Sequence, residues 1–365
     1  MKIAIVGAGI YGLHAARTLA KSGHSIDIYE KAESGMLGAS LVNQARVHGG
    51  YHYPRSLSTA ARSQENYLKF LNDFSAHIHK DFKALYGIAT ESKVSPQKFW
   101  QLSKMIGASI RIASHKESDL FDKTLVTEVF QVDECAFDSQ GVSEQLLSDM
   151  AENVNLFYRT QILDVQVSTE KNRAISKLYL HSNNETLGPY DFCVNATYGE
   201  LDQNHNNSSN LLFEVCELMH VRVPIELSRL AITIMDGPFF SVTPWPAFGG
   251  HVLSHVRFTP HARYSTFIEA KSHIAHQRPD SRFELTLRDC KRYLPISQSM
   301  VHLDSKFAVK TILPTRDYDD ARPILAESTD KILNLIGSKI DNIYDIDGIL
   351  LTHLERIENQ KSYIH

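Results

Sequence analysis

The sequence predicts an α/β fold that opens on a parallel strand–helix–strand unit, and three observations carry it. The apolar run Ile3-Ala4-Ile5-Val6 leads straight into Gly7-x-Gly9-x-x-Gly12. Those glycines open a helical pattern from Ile10 to Lys21, which Gly23 stops. A second strand pattern, Ser25 to Tyr29, ends on the acid Glu30. In this order the parts make a dinucleotide-binding start. The first glycine permits the tight turn, the second lets backbone approach a pyrophosphate, and the third lets helix and strand pack closely. The helix N-terminus offers N–H groups and a positive dipole end to the phosphates. Glu30 stands where a carboxylate accepts from ribose hydroxyls and repels a 2′-phosphate, so an unphosphorylated dinucleotide is expected. Lys2 followed by apolar residues could also read as a secretory signal, but the glycines and Tyr11 interrupt it.

The chain has 365 residues, 43% hydrophobic and 22% charged, the composition of an ordinary globular protein with one large or two closely joined domains. Its 38 basic and 42 acidic residues leave a formal charge of −4, which gives no overall field for nucleic acid or an anionic membrane. A local basic rim from Arg46, Arg55, Arg62 and Lys69 stays open. No apolar run approaches the roughly 18 residues of a membrane span, and a cytoplasmic location is expected. Cys135, Cys193, Cys216 and Cys290 are widely spaced, so neither a disulfide framework nor a zinc site is expected. His251 and His255 share one face of an expected strand, with no metal predicted there.

Beyond Glu30 the regular alternation stops. A dense polar and aromatic stretch runs from Asn43 to Ser56, too rich in hydrogen-bonding groups to be core. A helix pattern follows from Ser56 to about His79, then short strands and turns from Leu85 to Phe137. Next come a helix from Val142 to Glu152, strands over Leu156 to Val167 and Ala174 to His181, and a turn at Gly188-Pro189. A buried strand from Tyr190 ends in the small-residue turn Ala196 to Gly199, and Asp202 to Asn210 is a polar loop. Strand-like runs fill Val221 to Phe258, helices recur over Tyr264 to Ile274 and Ser281 to Tyr293, and the strand Ile332 to Ile336 leads through Gly337-Ser338-Lys339 to a last helix. A nucleotide domain assembled from distant segments, with a substrate domain between them, is the expected plan.

Three segments resemble the D-amino-acid oxidase / glycine oxidase superfamily of FAD-dependent oxidoreductases. The first is Val6 to Glu30. The second runs from Gly38-Ala39-Ser40 to His48-Gly49-Gly50-x-x-Tyr53, similar to an element of glycerol-3-phosphate dehydrogenases. The third pairs Val194-Asn195-Ala196-Thr197-Tyr198-Gly199 with Gly337-Ser338-Lys339-Ile340. Ser338 and Tyr198 depart from the family pattern, which has glycine at the first position and a smaller turn at the second. The resemblance implies a Rossmann-like FAD-binding domain from residues 1–84, 140–200 and 306–365. It implies an α+β substrate domain with a large, mainly antiparallel sheet from residues 85–139 and 201–305. It also implies FAD held by Gly7, Gly9, Ile10, Tyr11, Gly12, Glu30, Lys31, Ala39, Ser40, Asn43, Gln44, Arg46, Val47, His48, Ile162, Ala196, Thr197, Gly337, Ser338, Lys339 and Ile340.

In such enzymes the flavin accepts a hydride and the protein supplies orientation and charge. His48, Tyr53 and Arg257 are the catalytic candidates. His48 could be a base, a donor to the flavin, a covalent tether or a histidine satisfied in a polar loop. His52, Arg55, His255 and Arg322 are candidate substrate anchors. Arg55 also reads as the start of the following helix, with Ser56 as its cap. His255 and Arg257 alternate about Val256 and would share a strand face, either clamping an anion or meeting solvent. The expected reaction removes a hydride from a C–H next to an amine of a small molecule, free or carried on a larger one, with electrons passing to oxygen or another acceptor. Oxidation of an α-hydroxy acid or polyol phosphate is the alternative, and an FAD-binding partner without turnover is a second. An NAD-linked dehydrogenase is disfavoured, because no third nucleotide-fold strand follows promptly after Glu30.

Overall fold

The computed structural model describes residues 1–169, 176–183, 185–201, 211–277, 279–312, 324–329, 331–337 and 339–362. Arg322, Ser338 and the expected loop Asp202 to Asn210 lie outside them. The chain forms two compact units. The first contains Met1–Ser40, Ser143–Leu211 and Arg322–His365, and the second contains Leu41–Val142 and Leu212–Ala321. Residues 41–84, grouped with the amino-terminal segment in the sequence reading, therefore pack in the second unit. Their strands explain it: Arg46–Val47 and Ile78–His79 both pair with Cys135–Phe137.

A six-stranded sheet organises the first unit, in the order Leu325–Ser328, Ile332–Ile336, Phe192–Asn195, Lys2–Val6, Ser25–Tyr29, Val154–Phe157. All neighbours run parallel except the edge pair at residues 325–336. Its central strands are buried on both faces, as parallel strands covered on both sides must be. Ile3 and Ile5 are fully buried, while Ala4 and Val6 join a second cluster with Val165, Leu178 and Cys193. A small antiparallel sheet of Ile162–Thr169, Ser176–Ser182 and Thr186–Tyr190 belongs to this unit. The single strand expected over Leu156 to Val167 is thus two strands, parted where Arg159 takes a left-handed φ of 55°. Gly188-Pro189 lies within a strand instead of forming a turn.

The second unit is built on a nine-stranded sheet whose pairs are antiparallel apart from Lys83–Ala89 with Leu230–Met235. Alternation divides these strands between two cores. Leu85, Ile232 and Ile234 pack on one face with Phe283, Cys290 and Tyr293 of the helix Phe283–Tyr293. Tyr86, Ile88 and Ala231 pack on the other with Phe99. Phe99 belongs to the helix Pro96–Met105, which the strand reading of Leu85 to Phe137 missed. Its start signal is local: the Ser95 hydroxyl accepts from Lys98 N–H at 3.3 Å, and proline occupies the first helical turn. The helix expected from Ser56 to His79 runs over Leu57–Asp73 and gives way to the strand Ile78–His79.

Candidate active site

In the first unit, segments far apart in sequence meet at the glycine turn. Gly7 has a φ of +98°, and a Cβ there would lie 2.9 Å from the Ala196 carbonyl oxygen. A Cβ on Gly12 would lie 1.9 Å from the Gly7 oxygen, so only glycine lets helix and turn approach this closely. Ser40 Oγ accepts from Ile10 N–H at 3.0 Å, fixing the Ala39-Ser40 segment at the N-terminus of the helix Ile10–Lys21. Glu30 is anchored by its own loop: Oε2 accepts from Ala8 N–H at 2.8 Å and Oε1 from Ala32 N–H at 2.9 Å. A carboxylate has about four acceptor positions, so two remain suited to ribose hydroxyls. Lys31 is ion-paired with Glu200.

Asn195 shapes the turn that approaches Gly7. Its Oδ1 accepts from Thr197 N–H at 3.1 Å and from Thr197 Oγ1 at 2.7 Å, while Nδ2 donates to Asn334 at 3.0 Å. Tyr198 and Gly199 then turn with φ of 63° and 93°. The Tyr11 hydroxyl donates to the Lys339 carbonyl at 2.7 Å, and a Cβ on Gly337 would lie 1.9 Å from that hydroxyl. Burial pushes the Tyr11 phenol well above its ordinary value, so it stays a neutral donor. Ile340 begins the turn Asp341–Tyr344, and Ile162 is a buried residue at the start of its strand. This cradle fits a dinucleotide: the backbone lies bare where a Cβ would fill it, helix N–H groups stand at the turn, and a fixed carboxylate closes the strand end.

In the second unit the polar stretch builds a ring of side chains. Arg46 Nη2 donates to the Tyr86 hydroxyl at 2.6 Å and to Glu134 Oε2 at 2.5 Å. Glu134 Oε1 lies 3.4 Å from His48 Nδ1. The rings of His48 and His52 stack 4.6 Å apart, and His52 Nδ1 lies 3.5 Å from the Tyr86 hydroxyl. Tyr53 meets both imidazoles edge-on, at 6.0 and 6.1 Å. Arg46 and Glu134 side chains are each only 3% exposed. Burial alone would raise the Glu134 carboxyl, but the Arg46 charge and the His48 hydrogen bond hold it well below the usual range. Arg46 Nη1 is buried without a hydrogen-bond partner among the described residues, a charged donor that a bound molecule can satisfy.

Nearby in sequence, Asn43 Oδ1 accepts from Ala45 N–H at 2.7 Å, Gln44 Nε2 donates to Ser254 at 2.9 Å, and Val47 pairs with Cys135. Arg55 is salt-bridged to Asp236 at 2.8 Å. His255 is committed at both nitrogens, Nε2 to Asp289 at 3.0 Å and Nδ1 to Arg257 N–H at 3.0 Å. The last contact also corrects the strand alternation expected for Arg257. The strand His251–His255 ends there, and exposed Arg257 sits in the turn that follows. Sequence reasoning missed Glu134 and Tyr86. The signal for Glu134 was the acid pair Asp133-Glu134 between the strand patterns Val129 to Val132 and Cys135 to Phe137, where an acid drawn into the core demands a cation. All four cysteines are buried and unpaired. Among the described residues no helix is long and apolar enough to cross a membrane, and no group of three or more His, Cys, Asp or Glu could hold a metal.

Comparison with known proteins adds three findings. The sequence model of one family, DAO, described as FAD dependent oxidoreductase, matches residues 2–344. The FAD-dependent monooxygenase FPY4 of Fusarium mangiferae is 25% identical over 351 residues, spanning 94% of this chain and 88% of that protein. Among solved structures, the L-alpha-glycerophosphate oxidase of Mycoplasma pneumoniae with FAD bound superposes with a TM-score of 0.71 at 16% identity, covering 97% of this chain and 94% of that one. Glycine oxidase from Geobacillus kaustophilus gives 0.66 at 16% identity, covering 98% and 94%. These structural likenesses establish the fold.

Proposed function

This chain belongs to the DAO family of FAD dependent oxidoreductases and takes FAD as its cofactor, and from that premise we propose that it oxidises a C–H bond next to an amine nitrogen in a small molecule. FAD, when bound, supplies the electron sink for hydride removal. Gly7, Gly9, Gly12 and the first helical turn would hold its pyrophosphate, and Glu30 its ribose. Ala39, Ser40, Ala196, Thr197, Gly337, Lys339 and Ile340 would line the same cofactor. His48 accepts the proton that leaves the substrate nitrogen, and Tyr53 packs edge-on against it to define the approach. Arg46 brings a permanent charge with one unmatched donor, suited to a substrate carboxylate.

The observation that carries this reading is the ring of Arg46, Glu134, Tyr86, His48 and His52, its Arg46, Glu134 and Tyr86 members buried and its two histidines partly exposed. Desolvating an arginine and a glutamate is costly, and a protein that only stored the cofactor would gain nothing from it. The glycine oxidase likeness favours a nitrogen-bearing donor, and the glycerophosphate oxidase likeness keeps a CH–OH donor as the alternative. The name of the Fusarium relative favours a second reading, insertion of one oxygen atom of O₂ into the substrate, the other leaving as water with two electrons from an added nicotinamide reductant. Anaerobic mixing with amino acids, secondary amines, hydroxy acids and polyol phosphates, followed by loss of the flavin bands, tests the donor. Bleaching by amines supports the proposal, and bleaching by hydroxyl donors alone overturns it. Product labelled from ¹⁸O₂, with no anaerobic bleaching, supports the second reading. His48→Ala should slow bleaching at least about tenfold, a barrier increase of about 1.4 kcal/mol.

A further inference from the structure

We propose that Glu134 is a positioning residue for His48: its carboxylate takes the hydrogen of Nδ1 and so fixes the imidazole in the tautomer whose bare Nε2 meets the substrate. This rests on the reading of His48 as the proton acceptor.

The two carboxylate oxygens are divided, Oε2 receiving Arg46 Nη2 and Oε1 lying 3.4 Å from His48 Nδ1. An ionised carboxylate only accepts, so the hydrogen between the pair belongs to Nδ1 and the lone pair to Nε2. Arg46 keeps Glu134 in that acceptor form, since the guanidinium is charged at every accessible pH. The ring plane is set independently. His52 stacks on His48 with an interplanar angle of 28°, and Tyr53 stands at 79° to it, so rotation of the imidazole meets a ring on two sides. His52 is itself tied to the Tyr86 hydroxyl, which also accepts from Arg46. Contacts therefore run in a closed circuit from His48 through Glu134, Arg46, Tyr86 and His52 back to His48. When Nε2 takes a proton from the substrate, the new positive charge arises beside a carboxylate already in place, so no group has to move to stabilise it.

The test is the ¹⁵N spectrum of the FAD-loaded protein labelled at histidine, with the His48 signals assigned by their loss in His48→Gln. Wild type should show the Nδ1–H tautomer. Glu134→Gln offers an amide N–H as well as a carbonyl, so it should lose that preference. At saturating substrate it should slow anaerobic flavin reduction at least about tenfold with KM changed less than about twofold. Glu134→Asp should restore part of both. The wild-type spectrum, assigned through His48→Gln, needs no Glu134 variant, so it decides the question even if Glu134→Gln does not fold. An Nε2–H tautomer in wild type, or an unchanged tautomer and rate in Glu134→Gln, overturns the proposal. A correct tautomer together with full reduction rate in His48→Ala overturns it through the reading it rests on, leaving the Glu134–His48 geometry without a catalytic purpose.

Discussion

Around residues 7–12 the atoms that meet are backbone: the Gly7 carbonyl, the Ala196 carbonyl and the helix N–H groups, with three glycines keeping side chains away. Around Arg46 the atoms that meet are side-chain termini, drawn from positions 46, 48, 52, 86 and 134. The first region is suited to a chemical constant, a diphosphate flanked by a ribose, which calls for close approach and fixed dipoles. On the proposed reading the second would handle charge that changes during a reaction, a task suited to titratable groups in a water-poor setting. A Cβ should therefore be ruinous in the first region and a lost charge ruinous in the second.

The largest effect should come from Gly12→Val. Its added Cβ would fall 1.9 Å from the Gly7 oxygen, a contact that neither turn nor helix can relieve without moving. The protein should retain no FAD, read as absorbance of the purified chain, and a variant that keeps its flavin bands would break the backbone side of the comparison. Next is Glu134→Ala, which strands a guanidinium that is 3% exposed. Urea unfolding should show a loss of about 3–5 kcal/mol, whereas replacing Arg46 and Glu134 together by apolar residues of similar volume should be near neutral for stability. If the double replacement is as damaging as the single one, the ring is packing and not charge balance.

A smaller effect should appear with pH. Buried His251, whose Nε2 donates to the Leu230 carbonyl at 3.3 Å, has its pKa lowered from 6.5 to about 4 by burial. A depressed histidine contributes stability that is present above its unfolded value and is lost as pH falls through the folded one. Stability of the second unit should thus decline between about pH 6.5 and pH 4. His251→Gln keeps the donor to Leu230 without the titration, and should flatten that slope by up to roughly 3 kcal/mol across the window. An unchanged slope in the variant would show that other groups carry the acid sensitivity.

How much was legible follows the same division. The helix Ile10–Lys21 and the strands Ser25–Tyr29 and Ile332–Ile336 fall where the sequence pattern put them, because each is bounded by glycine or acid signals within a few residues. The glycine turn with its strand and helix is a local device, and local sequence reports it. Arg46, His48 and Tyr53 stood out as polar groups in one stretch, but the partners that give them chemistry did not. Tyr86 is 40 residues and Glu134 is 88 residues from Arg46, and sheet pairing, not spacing along the chain, brings them together. The alternation argument for His255 and Arg257 failed because His255 accepts from the very next turn and so ends its own strand. The helix Pro96–Met105 was hidden among apolar residues that suit a strand equally well, and only Ser95-Pro96 announced it.

Whether this chain carries a flavin on its amino-terminal glycine turn and works on substrate through the groups around His48 can be read in the visible spectrum of the purified protein before and after anaerobic addition of an amine. Wild type should show flavin bands at about one FAD per chain that bleach on mixing, and His48→Ala should bleach far more slowly. A colourless chain that takes up no flavin when incubated with FAD would contradict both expectations.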